Sequence, residues 1–251
     1  MTEDAHRRAP VRHPWLCALA VALCWRLAVY ATSTGLPALA PAAFPDLGAV
    51  VVNAVACLVP LAVVARLGWW RLPWLATVRP RRWWPLVPLV ALYAGRLAYG
   101  WDLGPARALD VTALVLVAAT SEELYSRGVD QELLRAVAPL WRAVGVGLLF
   151  GVGHALSGVV FGRDLGYVAF QVPHAVVQGF ALAAARVRVV SIWPLVLVHA
   201  LSNLLVLAEP AGAVPDAWEA FELAAVLVTG LLLVRAAGRD DDRPGQRAAR
   251  T

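Results

Sequence analysis

Apolar residues run through this chain in blocks long enough to cross a bilayer, and polar residues collect in the short stretches between them. A helix needs about 20 apolar residues to span the hydrocarbon core. On that criterion spans are expected at 14–31, 47–66, 84–100, 107–126, 143–160, 166–185, 189–208 and 217–235. The expected fold class is therefore an all-α polytopic membrane protein with about eight transmembrane helices. One membrane domain covers 14–236, preceded by a short cytoplasmic segment, 1–13. It is followed by a tail, 237–251, whose mixed charges and missing apolar period predict disorder. No linker, repeat or soluble domain interrupts the blocks, so any chemistry must lie in the spans or in short loops.

Composition agrees: 60% of the 251 residues are apolar and 16% charged, a balance beyond that of a soluble domain. Net charge is +5 and every cation is Arg. The arginines are scattered between apolar blocks, which argues against a nucleic-acid partner. Arg7, Arg8 and Arg12 precede the first block as in a signal peptide, but Arg26 inside it and the missing cleavage site predict a retained anchor. Short cytoplasmic loops are enriched in Arg. The second, fourth and sixth connections hold Arg66, Arg71, Arg79, Arg81 and Arg82, then Arg127, Arg135 and Arg142, then Arg186 and Arg188, whereas the other four hold only Arg163. That alternation predicts cytoplasmic termini in a multi-pass protein of the cell membrane, of bacterial inner-membrane type. Trp15, Trp69, Trp70, Trp74, Trp83, Trp84, Trp101, Trp141, Trp193 and Trp218 fall near expected span ends, as an interfacial belt requires. Cys17, Cys24 and Cys57 lack metal-ligand or CxxC spacing and read as packing residues.

Against this apolar background the stretch Ser121-Glu122-Glu123-Leu124-Tyr125-Ser126-Arg127 stands out, because charge at the end of a span is expensive. Glu123 and Arg127 are four apart with the acid first, the better orientation for a helical ion pair, and are read as structural support. Glu122 is rotated by about 100° from that pair and is read as the chemical group. Two later blocks carry further polar pairs at helical spacing: Phe150 with His154, and His199 with Asn203. With the fourth helix continued to Arg135, Glu122 lies thirteen residues from its cytoplasmic end, His154 twelve from Arg142 and His199 eleven from Arg188. At 1.5 Å per residue all three sit about 16–20 Å deep. Topology alone thus brings a carboxylate and two imidazoles to one level, where a carboxylate can serve as base toward water.

Gly147, Gly151, His154 and Gly158 share a face of the fifth helix, and the GxxxG pair permits close approach of a helix or a substrate backbone. His199 and Asn203 supply an imidazole and an amide, able to donate to an oxyanion or to bind a metal. Pro194 is expected to bend their helix. In the sixth helix Gln171, His174 and Gln178 form a polar stripe, read as an interhelical clasp or a cavity wall.

Read together, EELYSR, FGVGH and HALSN resemble, in order, the EExxxR, FxxxH and HxxxN motifs of the CPBP family of intramembrane proteases, named for CAAX and bacteriocin processing and also called Abi. The resemblance covers about 108–208, within an expected protease core at 107–208. It implies that Glu122 is the catalytic glutamate, that His154 helps activate water, and that His199 and Asn203 stabilise the oxyanion or form a metal site. Ser126, where an aromatic residue is common, and Gly147, where a small hydroxyl residue is frequent, depart from the family pattern in positions that touch packing. The implied activity is hydrolysis of peptide bonds in membrane-associated proteins or peptides. Prenylated C-termini, substrates of the family's eukaryotic branch, have no support in this sequence.

The cofactor expectation is either none or a divalent metal such as zinc on Glu122, His154 and His199, since two imidazoles and a carboxylate make a plausible zinc set. The expected partners are the lipid bilayer and a membrane-associated substrate, and nothing in the sequence sets an oligomeric state. The competing readings are a non-catalytic scaffold of the same fold and a proton- or ion-coupled transporter. The latter predicts polar breaks in both halves of the chain, whereas the polar groups cluster in the C-terminal half.

Overall fold

The computed structural model describes residues 11–39, 44–77 and 83–241, and among them every regular element is helical. Arg7, Arg8, Arg79, Arg81, Arg82 and residues 242–251 of the expected tail lie outside the described residues. Among the described residues five helices are long and apolar enough to cross a membrane: Pro14–Ala38, Gly48–Leu67, Pro139–Phe161, Leu165–Arg188 and Asp216–Ala237. Their outer faces carry exposed Leu16, Leu23, Leu27, Val152, Val159 and Leu232, side chains suited to lipid and costly in water. The chain is a multi-pass, all-helical membrane protein.

Along the chain, α1 (Pro14–Leu39) is followed by α2 (Phe44–Ala56) and α3 (Leu58–Leu67), which together form one span jogged at Cys57. The short α4 (Pro73–Ala76) seats Trp74 in the core. The expected span at 84–100 is broken: a 3₁₀ turn at Trp84–Leu86, then α5 (Val87–Ala94), then a second 3₁₀ turn at Gly95–Tyr99. Helix α6 (Pro105–Glu123) carries Arg107 and Asp110 near its start and two glutamates at its end, too polar for a plain span. It does not stop at the motif but runs on through a π-helical segment, Leu124–Asp130, into α7 (Gln131–Leu133). The remaining helices are α8 (Pro139–Phe161), α9 (Leu165–Arg188), α10 (Trp193–Ala208) and α11 (Asp216–Asp241).

Two pairings position the site: α8 lies along α9, and α10 lies along α6. The first uses the GxxxG face. A Cβ on Gly147 would stand 2.7 Å from the Phe180 backbone nitrogen, and one on Gly151 would meet Val176. The small residues therefore admit α9, not a substrate backbone. The second pairing uses Val111, Val115 and Ala119 of α6 against Val196 and Ala200 of α10. That stripe advances by four residues at a time, and its next member is Glu123.

Two expectations are corrected here. Pro194 falls in the first turn of α10, where its missing N–H is tolerated, so it opens the helix instead of bending it. Trp69 and Trp74 are buried in the core, Trp193 donates to the Leu75 carbonyl at 2.8 Å, and Trp218 packs on Gly95. These indoles serve packing, while Trp15, Trp70, Trp84, Trp101 and Trp141 are exposed as a belt requires.

Candidate active site

The α6 stripe that packs on α10 delivers Glu123 to His199. The His199 Nδ1 lies 2.8 Å from Glu123 Oε1, and the same oxygen accepts from Arg127 Nη1 at 2.9 Å. Both Glu123 and Arg127 side chains are fully buried. Arg127 Nη1 also donates to Ser126 Oγ at 2.7 Å, and Ser126 Oγ donates to the Glu122 carbonyl at 2.6 Å. The ion pair expected within one helix is thus one half of a larger unit, Arg127–Glu123–His199, that ties α6 to α10.

Glu122 occupies the other side of the imidazole, with Oε2 3.3 Å from His199 Nε2. Its side chain keeps 15% of its surface, against none for Glu123, so of the two carboxylates only Glu122 is reachable from outside. A carboxylate accepting from Nδ1–H fixes the imidazole tautomer and turns the Nε2 lone pair outward, here toward Glu122.

Phe150 sits at the centre of the group. The Arg127 guanidinium stands 4.4 Å above its ring, and the rings of His154 and His199 lie 5.0 and 5.8 Å away. One turn further along α8, His154 places Nδ1 3.0 Å from the Phe150 carbonyl oxygen. From α1, Arg26 Nη2 donates to that carbonyl at 2.8 Å and lies 3.3 Å from the imidazole nitrogen. Asn203 follows His199 by one turn of α10.

Glu122, Phe150, His154, His199 and Asn203 all line one cavity of about 620 Å³. Gln171, His174 and Gln178 of α9 line it too, and there the polar stripe divides. Gln178 Nε2 donates to Ser202 Oγ of α10 at 3.2 Å, a clasp, whereas His174 bonds the Phe170 carbonyl of its own helix and faces the cavity. Arg96, from the 3₁₀ turn at Gly95–Tyr99, also lines it. Arg96 is buried and paired with Glu209 at 2.7 Å and with Glu222 at 2.9 Å.

A metal on Glu122, His154 and His199 does not fit this arrangement. Among the described residues no three His, Cys, Asp or Glu side chains are grouped so as to hold an ion. The chemistry this geometry can perform is proton transfer from a cavity water, with imidazole and amide groups at hand to meet a developing negative charge.

The three ordered motifs thus lie on helices that bring them into one cavity. Residues 104–205 match the family model described as Type II CAAX prenyl endopeptidase Rce1-like. This match is consistent with the CPBP resemblance of the motifs, and its span includes Glu122, His154, His199 and Asn203 while excluding α1 to α5. An endopeptidase family of this kind supports a hydrolase acting on membrane-associated substrate. Searches of curated proteins and of solved structures gave no match.

Sequence reasoning used Arg26 only as a sign of a retained anchor, and passed over Trp25 of the first span and the acidic partners of Arg96. Arg26 had a visible signal, a charge in mid-span, that pointed to no partner. It also gave Glu123 to Arg127 alone, because periodicity ranks neighbours only within a helix.

Proposed function

We propose that this protein is an intramembrane endopeptidase that hydrolyses peptide bonds in membrane-associated proteins or peptides. The observation that carries the reading is the reachable Glu122 carboxylate 3.3 Å from His199, in the same cavity as His154 and Asn203. Glu122 takes a proton from a water that His154 helps to orient, and the resulting hydroxide attacks the scissile carbonyl. The tetrahedral oxyanion is met by the Asn203 amide and by His199 Nε2–H, the latter in the imidazolium form balanced by buried Glu123. Glu122 then returns its proton to the leaving amine. Glu123 and Arg127 support this site, and Phe150 forms its floor.

Comparison of membrane-fraction protein termini from cells expressing wild type and Glu122→Ala tests the reading. New termini made only by wild type are expected, and identical terminomes would refute it. Among purified variants, Asn203→Ala removes one oxyanion donor and should lower kcat by about 10²–10³-fold while leaving slow turnover. His174→Ala, in the same cavity but outside the three motifs, should keep kcat and alter only KM. A loss of kcat in His174→Ala equal to that in His154→Ala would exchange the roles of the two histidines.

Since the proposed roles of Glu122, His154, His199 and Asn203 need no ion, and no group of three His, Cys, Asp or Glu is placed to hold one among the described residues, cleavage by purified protein should survive a strong chelator. Activity lost to the chelator and restored by stoichiometric zinc would reverse that. The topology proposed with this site has eight crossings and cytoplasmic termini, with α6, α10 and the broken α5 region crossing alongside the five plain spans. Reporter fusions near Arg142 and Arg188 should read as cytoplasmic, and those near Trp101, Asp164 and Pro215 as external. An external reading at Arg188 would invert α10 and contradict the common depth of His199 and Glu122.

A further inference from the structure

Helix α1 lies outside the segment that carries the motifs, yet two of its consecutive residues reach both motif helices at the level of the site. Trp25 Nε1 donates at 2.8 Å to the hydroxyl of Ser121, the residue before Glu122. Its ring also stacks on Tyr125 with centroids 4.4 Å apart. Arg26 turns instead to α8, where Nη2 donates to the Phe150 carbonyl at 2.8 Å and stands 3.3 Å from His154 Nδ1. His154 Nδ1 is 3.0 Å from the same carbonyl, so the three groups close a triangle. A guanidinium has no acceptor and a carbonyl has no donor. Arg26 therefore holds the oxygen on which the imidazole N–H is anchored.

Packing alone does not account for an arginine here. Arg26 is twelve residues from either end of the Pro14–Ala38 span, the depth at which a charged side chain is most costly. It is buried, and among the described residues no carboxylate lies within ion-pair distance of it. Space is reserved for it on α8: a Cβ on Gly153 would stand 2.6 Å from Arg26 Nη2. An apolar side chain would fill the same volume without the electrostatic penalty, so the guanidinium is there for what it hydrogen-bonds.

We propose that Arg26 is a positioning residue for the reaction, holding His154 in one orientation and one tautomer, Nδ1–H on the Phe150 carbonyl, with Nε2 as the acceptor toward water. Trp25 does the corresponding work for Glu122 through Ser121, so that α1 sets the spacing of the two groups that handle the water. Only the kinetic part of this inference rests on the proteolytic reading.

The test is ¹⁵N NMR of full-length, histidine-labelled protein in detergent, with the His154 ring signals assigned by their absence in His154→Ala. Wild type and Arg26→Lys should show a single Nδ1–H tautomer for His154. Arg26→Gln should move its ring nitrogens toward a tautomer average and leave His199 unchanged. In peptide cleavage at equal folded protein, Arg26→Gln should lower kcat by about 10- to 100-fold, the scale of a displaced catalytic group. KM should stay within about twofold, and Arg26→Lys should recover most of the rate. Should Arg26→Gln fail to accumulate, Gly153→Ala displaces the guanidinium from the other side and should give the same His154 signature. Unchanged His154 resonances in both variants would overturn the inference, as would shifted resonances with an unchanged kcat. A wild type that cleaves nothing, combined with shifted His154 resonances in Arg26→Gln, would refute the proteolytic reading and leave the Arg26–His154 coupling standing.

Discussion

Glu122→Gln should abolish cleavage while leaving the amount of folded protein unchanged. The substitution keeps the shape of the side chain, and its amide can still donate to His199 Nε2, 3.3 Å away in the wild type. What it removes is the group able to take a proton from water. A positioned base contributes about 10²–10⁴-fold, and since Glu123, the other carboxylate against His199, is fully buried, the loss should lie at the upper end, near 10⁴-fold. The measurement is turnover of a membrane-associated peptide by purified protein in detergent or vesicles, normalised to folded protein. Full turnover by Glu122→Gln would sink the enzyme assignment.

Glu123→Gln should fail in a different way, losing folded protein as well as rate. Glu123 Oε1 is the shared acceptor of Arg127 Nη1 at 2.9 Å and His199 Nδ1 at 2.8 Å, at a position with no exposed side-chain surface. Removing one partner of a buried ion pair costs about 3–5 kcal/mol, because the other charge stays buried without compensation. A companion variant separates stability from function: Glu123→Gln combined with Arg127→Met removes both charges and should recover much of the folded protein. It should not recover the rate, since His199 still lacks the carboxylate that orients it and balances its imidazolium form. A double variant that regained both would reduce Glu123 to a packing residue. If Glu123→Gln alone were fully folded and active, the Arg127–Glu123–His199 unit would have no role in either respect.

The same residues show why part of the site was legible in the sequence. An ionisable or amide group inside an apolar block carries a desolvation cost that must be offset by a partner, so Glu122, His154, His199 and Asn203 declare themselves against their surroundings. Helical spacing then groups Glu123 with Arg127, Phe150 with His154 and His199 with Asn203, since side chains four apart share a face. Counting inward from the arginine-bearing ends brings these groups to one depth, and the fold does gather them around one cavity.

By itself, then, the sequence determined that this is an all-helical membrane protein and which polar residues are set apart in its apolar blocks, because burial cost and helical periodicity are local properties of the chain. It also determined the Glu123–Arg127 pairing, which spans one turn of a single helix. Only the tertiary structure decided that Glu123 also grips His199, because that depends on the register of α6 against α10 through Val111, Val115, Ala119, Val196 and Ala200. It decided too that Arg26 ends at the Phe150 carbonyl, that Arg96 is enclosed by Glu209 and Glu222, and that Trp74 belongs to the core and not to the membrane interface. Periodicity defines the faces of each helix, but which face meets which, and at what offset along the axis, is set by side chains far apart in the chain packing against one another.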